Sequence, residues 1–252
     1  MKQPFLGINI TIGKYSDFIG AILGLINSET SSYVCVANVH MLVEASQDSQ
    51  FADIVNGADI CTPDGMPLVL GLKALCGLQQ DRVAGMDLMP DLLQEAERCA
   101  ISVFFYGGTQ SMLDKTRQYV SLTYPNLVVA GMHSPPFRQL TTEEENEGVA
   151  MINASGAKVV FVALGCPKQE KWMHRMKGRI SMPMIGIGGA LPVMVGIQKR
   201  SPTWMQRLSL EWLFRLGQEP KRLFKRYTVT NSLFIGMLLN ALLKQQFRIK
   251  KG

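Results

Sequence analysis

Five stretches of this 252-residue chain are unusually polar or glycine-rich: Asn38, Asp64-Gly65, Gly107-Gly108-Thr109, Gly165-Cys-Pro-Lys-Gln169 and Gly188-Gly189-Ala190. Asp64, in Pro63-Asp64-Gly65-Met66-Pro67, has two readings. An aspartate ahead of an apolar helix is a favoured N-cap. A carboxylate in a strand-to-helix loop can instead serve as general base for a sugar or alcohol hydroxyl. The roles exclude each other if the carboxylate points back into its own helix. The pairs Gly107-Gly108 and Gly188-Gly189 let backbone N–H groups approach a phosphate, or simply form tight turns. Gly186-Ile-Gly188-Gly189-Ala-Leu191 lacks the last glycine of a dinucleotide fingerprint, and no Walker A sequence occurs. Lys168 and Gln169 follow Pro167 at the start of a helix. There a cation and an amide suit a diphosphate or a nucleobase edge, or form an ordinary polar first turn. His40 and His174 fall on helix faces and His133 in a loop before Pro135-Pro136, which gives no metal cluster.

These stretches matter because of where the pattern places them. Tyr33–Ala37, Ala58–Thr62, Ser102–Tyr106, Leu127–Ala130, Lys158–Leu164 and Met184–Ile187 are short apolar runs, each followed by a helical pattern. Phe5–Ile12 reads as one further strand, and Ser16 caps a helix to about Glu29. Apolar strands alternating with helices predict a parallel sheet covered on both faces. The fold expected is doubly wound α/β, one domain over residues 1–198 with a helical appendage over residues 199–252. In such sheets ligands bind past the carboxyl ends of the strands, where all five stretches fall.

The appendage is set apart by charge. Residues 199–252 hold twelve Lys and Arg against Glu211 and Glu219, about +10 in a chain whose total is +6. Within it, Ser232–Leu243 is an apolar run with basic residues on both sides, well short of the ~20 residues a spanning helix needs, so an interfacial helix is expected. Trp204, Trp212, Phe214, Phe224 and Tyr227 interleave with Arg207, Arg215, Lys221, Arg222, Lys225 and Arg226. That mixture fits a lipid headgroup surface, a diphosphate-bearing substrate, or nucleic acid, though no nucleic-acid-binding module accompanies it. Five scattered cysteines without paired spacing read as reduced thiols. The N-terminus enters a strand pattern directly, so no secretory leader is expected.

Several ordered stretches together resemble the WecG/TagA/CpsF glycosyltransferases of bacterial surface-polysaccharide and wall teichoic acid synthesis. They are Asn38-Val-His-Met-Leu-Val-Glu-Ala45, Ala58-Asp-Ile-Cys-Thr-Pro-Asp-Gly-Met-Pro67, Arg82-Val-Ala-Gly-Met-Asp-Leu88, Tyr106-Gly-Gly-Thr109, Leu164-Gly-Cys-Pro-Lys-Gln-Glu170, Gly186-Ile-Gly-Gly-Ala190, Lys199-Arg-Ser-Pro-Thr-Trp-Met-Gln-Arg207 and Leu210–Tyr227. The resemblance implies a Rossmann-like core and an inverting, metal-independent transferase with no cofactor. It implies a UDP-sugar donor, often of N-acetylmannosamine, and an undecaprenyl-diphosphate-linked sugar as acceptor, at the cytoplasmic membrane face. In its terms Asp64 is the general base, Gln169 lies in the donor site, and Arg215 and Arg222 engage the lipid diphosphate. The appendage closes over the site, with homo-oligomeric state coupled to membrane docking. Many members have Thr where this chain has Val36, and Phe-Asp where it has Leu191-Pro192, which leaves the donor sugar open. Two other classes compete with this expectation: a nucleotide-binding membrane protein without turnover, and a nucleic-acid-binding protein that uses the basic tail.

Overall fold

The structure is a computed structural model that describes residues 1–208 and 210–249, with the side chains of Arg207, Arg222, Arg248 and Ile249 outside the description. The chain opens with β1 (Lys2–Phe5) and β2 (Ile8–Thr11), an antiparallel hairpin in which Phe5 faces Ile8 and Lys2 faces Thr11. The sequence predicts a single strand here. The chain instead reverses at Leu6-Gly7, both at positive φ (47° and 97°), a turn that leaves Phe5, Ile8 and Ile10 pointing into the core.

Next come α1 (Tyr15–Asn27), β3 (Tyr33–Ala37), α2 (Val39–Gln47), α3 (Ser49–Asn56), β4 (Ile60–Pro63), α4 (Met66–Cys76) and α5 (Gly85–Arg98). Helix α3 was not foreseen. It starts because Asp48 accepts a hydrogen bond from the Phe51 N–H (3.0 Å), ending α2 and capping a new helix. Then follow β5 (Val103–Gly107), α6 (Gln110–Thr123), β6 (Val129–His133), α7 (Thr142–Ala154), β7 (Val159–Ala163), α8 (Lys168–Met176), β8 (Met184–Gly186) and α9 (Ala190–Met194). Thr141 and Glu144 form a reciprocal capping box at the acidic start of α7.

Strands β3 to β8 form one parallel six-stranded sheet in the order β4-β3-β8-β7-β5-β6. Successive residues of β3 point to opposite faces: Tyr33, Cys35 and Ala37 join one core, Val34 and Val36 the other. The sheet is therefore buried on both sides, as its apolar strands require. The β4 edge is covered by the hairpin, whose Thr11 hydroxyl accepts from the Cys61 N–H (3.0 Å).

The basic segment forms α10 (Thr203–Arg207), α11 (Glu211–Gln218) and α12 (Pro220–Ile249). Helix α12 lies against α2, α4 and α11. Its Leu223 and Phe234 are buried, and Leu238 stands 3.6 Å from where a Cβ on Gly71 of α4 would be. Part of the apolar run therefore belongs to the core of the body. The opposite side of α12 leaves Phe224, Ile235, Leu239, Leu243 and Phe247 exposed at helical spacing. Among the described residues no helix is long and apolar enough to cross a membrane.

Candidate active site at the carboxyl ends of the strands

Asp64 is the first residue past β4, and its backbone N–H donates to the Ala37 carbonyl at the end of β3 (2.7 Å). The helix that follows is not capped by it: the N-cap of α4 is Gly65, at φ 98°, and no side chain bonds the helix start. Glycine is needed there because the left-handed turn directs the chain into α4 while leaving the preceding carboxylate free of it. The capping reading of Asp64 is thus set aside by geometry, and no described protein group hydrogen-bonds its carboxylate. Burial and the carboxylates of Glu211 and Asp87 push its pKa up to about 7, partly opposed by Arg82 and Arg215. A carboxyl group with that pKa in a cleft is poised to take a proton near neutrality.

Two adjoining cavities share Asp64. One is lined by residues after β3, β8 and β7, including Asn38, Gly165, Gln169, Gly188 and Gly189. The other lies between α4 and the tail, with Met66, Pro67, Arg82, Glu211, Trp212 and Asn231. Asn38, Asp64, Arg215, Arg226 and Tyr227 line both. Asn38 caps α2 through Oδ1, which accepts from the Met41 N–H (3.2 Å), so its amide NH₂ remains for the cleft.

Gln169 is nearly fully buried at the first turn of α8. Its Oε1 accepts from the Gly188 N–H (3.0 Å) and its Nε2 donates to Glu170 Oε1 (3.0 Å). A methyl on Gly186 would stand 2.4 Å from that Nε2, which is why β8 ends in glycine. Arg215 reaches back from α11 until its guanidinium lies over Gly189, 2.7 Å from where a Cβ would be. The tail therefore supplies one wall of the site. Trp212 and Tyr227, edge to face at 6.1 Å between centroids, fasten α11 to α12 beside it.

The structure thus brings together Asn38, Asp64, Gly65, Gln169, Gly188, Gly189 and Arg215. It does not bring Gly107, Gly108, Thr109 or Lys168 to either cavity. Strand β5 stands beyond β7 in the sheet. The Gly108 N–H is taken by the Ala163 carbonyl (3.0 Å), and a Cβ on Gly107 would stand 2.6 Å from that same oxygen. The Thr109 hydroxyl caps α6. This stretch serves a tight turn, and Lys168 points to solvent. The expectation for Arg222 concerns a side chain outside the described residues.

Of the other cavity residues, His40, Arg226 and Tyr227 carry a local signal, as a helix-face histidine and as part of the basic-aromatic mixture of the tail, whereas Arg82 and Glu211 do not stand out from their surroundings. Burial, and secondarily Arg226, lower the His40 pKa to about 4, so the ring is neutral. Among the described residues no cluster of three His, Cys, Asp or Glu could hold a metal ion.

Open parallel sheets bind ligands past the carboxyl ends of their strands, and here that position holds a high-pKa carboxylate and an arginine at the junction of two cavities. Residues 3–248 match the glycosyl transferase WecG/TagA/CpsF family, and the chain belongs to that family. It is 31% identical over 198 residues to an N-acetylglucosaminyldiphosphoundecaprenol N-acetyl-beta-D-mannosaminyltransferase of Bacillus spizizenii, covering 78% of this chain and 75% of that protein. It is 30% identical over 220 residues to the protein of the same name from Bacillus subtilis, covering 87% and 82%.

Proposed function

We propose that this chain is an inverting glycosyltransferase with a Rossmann-like core. It moves N-acetylmannosamine or a related hexose from a UDP-sugar to a polyprenyl-diphosphate-linked sugar at the cytoplasmic face of the membrane. The observation that carries the reading is the position of Asp64, uncapped and unpaired, where the two cavities meet. The glycine-lined cavity suits the donor, because Gly189 and Arg215 offer a backbone approach and a planar cation to a diphosphate. The cavity roofed by the tail suits the acceptor. Asp64 takes the proton of the acceptor hydroxyl, whose oxygen attacks the anomeric carbon, and the bond to the UDP oxygen breaks on the opposite face. A single displacement of this kind inverts the anomeric centre. Arg215 and Arg226 offset the charge gathering on departing UDP, the service a metal ion performs elsewhere.

The test is UDP release from a panel of UDP-sugars, with and without a short-chain polyprenyl-diphosphate N-acetylglucosamine. Acceptor-dependent release is expected with UDP-N-acetylmannosamine or a close analogue. Nucleotide binding with no release from any donor would instead favour a protein without turnover.

Gly186→Ala probes the donor cavity. The atoms nearest the new methyl are the ends of the Gln169 and Met173 side chains, so the fold survives and the Gln169 amide is pushed off Gly188. UDP affinity measured by calorimetry should fall about five- to tenfold, the worth of one hydrogen bond, with little change in Tm.

Membrane docking rests on the exposed stripe of α12 and the basic residues around it. Ile235→Asp with Leu239→Asp should weaken binding to phosphatidylglycerol vesicles by at least about tenfold, since each buried leucine-sized side chain contributes roughly 1.5–3 kcal/mol. Unchanged sedimentation with vesicles would remove α12 as the docking face.

A further inference from the structure

We propose that Glu211, carried in on α11, is a positioning residue for the base: it holds the Arg82 guanidinium away from Asp64. Arg82, Glu211 and Asp64 line the same cavity. Yet Arg82 spends its guanidinium elsewhere, with Nη1 donating to Glu211 Oε2 at 3.1 Å and Nη2 to Asp87 Oδ2 at 2.8 Å. Asp87 is itself engaged by Arg200, so it is shared between two arginines. The Arg82 side chain is only 17% exposed and that of Glu211 24%, which makes this a sheltered pair and not a surface contact.

The charged and titratable groups around Asp64 come from every neighbouring element. Arg82 and Asp87 arise just before α5 and in its first turn, Glu211 and Arg215 from α11, His40 from α2, Arg226 and Tyr227 from α12, and Cys166 and Glu170 from the turn into α8 and its first turn. Of the cations, Arg215 is seated over Gly189. Arg82 has a tail carboxylate, that of Glu211, among its partners. Without that carboxylate, Asp64 is the unpaired anion in the same cavity, and a guanidinium paired to it would hold it ionised and poorly basic. Glu211 acts in a second way of the same sign, because its own charge opposes ionisation of Asp64. The tail would then bring more than a cation to the leaving group. It would also make Asp64 a competent base, so that closure and basicity arrive together.

This inference rests on the glycosyltransferase reading, and the test separates the two. The pH dependence of kcat/KM for acceptor-dependent UDP release is measured from about pH 5 to 9 for the full chain, Glu211→Gln and Glu211→Asp. Glutamine keeps the shape but is a weaker acceptor for arginine. The acid limb of Glu211→Gln should move down by about one pH unit or more, with a lower plateau, because an opposite charge at contact typically shifts a carboxyl by about 1–3 units. Glu211→Asp should keep the wild-type limb. A lower plateau with an unmoved limb would mean that Glu211 only braces the tail, and overturns the inference while the transferase reading stands. No turnover by the wild-type chain with any donor overturns both.

Discussion

Asp64→Asn is expected to reduce transfer to a lipid-linked acceptor by on the order of a hundred- to ten-thousand-fold, the usual worth of a positioned general base. Asparagine fits the same space and cannot take a proton. Because no described group hydrogen-bonds the carboxylate, the exchange leaves no protein donor stranded. The same substitution should stabilise the fold at alkaline pH. The Asp64 pKa is raised to about 7, above the ordinary value of 3.8. The folded state therefore keeps its proton between those values while the unfolded chain releases it, and stability is lost as pH rises through that window. Asp64→Asn removes this loss, so its Tm should exceed that of the wild type at pH 8 and match it near pH 4. In the wild type, kcat/KM should rise with pH through about 7 as the base ionises. An Asp64→Asn protein with near-normal activity would remove Asp64 from the mechanism.

Arg215→Ala is expected to cost roughly a hundred- to a thousand-fold in kcat, the range found when one preorganised charge stabiliser is removed. The guanidinium lies over Gly189 and lines both cavities, so its loss falls on the diphosphate and not on packing. A planar fork matches phosphate oxygens in a way an ammonium does not, and Arg215→Lys should recover only part of the activity. A point variant is the sound probe of the tail. Removing the chain from Lys199 onward would also uncover the surfaces of α2 and α4 against which α12 packs, and remove the buried Leu223 and Phe234. Steady-state kinetics with saturating acceptor checks the prediction, and an unchanged kcat would take Arg215 out of the reaction.

The sheet was legible because strands buried on both faces must be apolar throughout, and Tyr33–Ala37 and Val159–Ala163 are. The hairpin was not, since Phe5–Ile12 keeps a strand-like composition across a reversal carried by Leu6 and Gly7. Asp64 was legible as a candidate, but choosing between cap and base needed the torsion of Gly65. Gly107-Gly108 looked identical in kind to Gly188-Gly189. Only strand order separates them, because β8 sits beside β3 at the cleft while β5 lies beyond β7. The Arg82–Glu211 pair spans 129 residues, and no local pattern announces it. The tail announced its charge and its apolar run, but not that one side of α12 completes the core while the other stays bare.

The most direct measurement of the central claim is a crystal structure of the full chain with UDP bound. The diphosphate is expected in the cavity walled by Gln169, Gly188 and Gly189, with Arg215 on a phosphate oxygen and Asp64 facing the vacant acceptor side. UDP seated instead at Gly107–Thr109, or on any surface remote from Asp64, would contradict it.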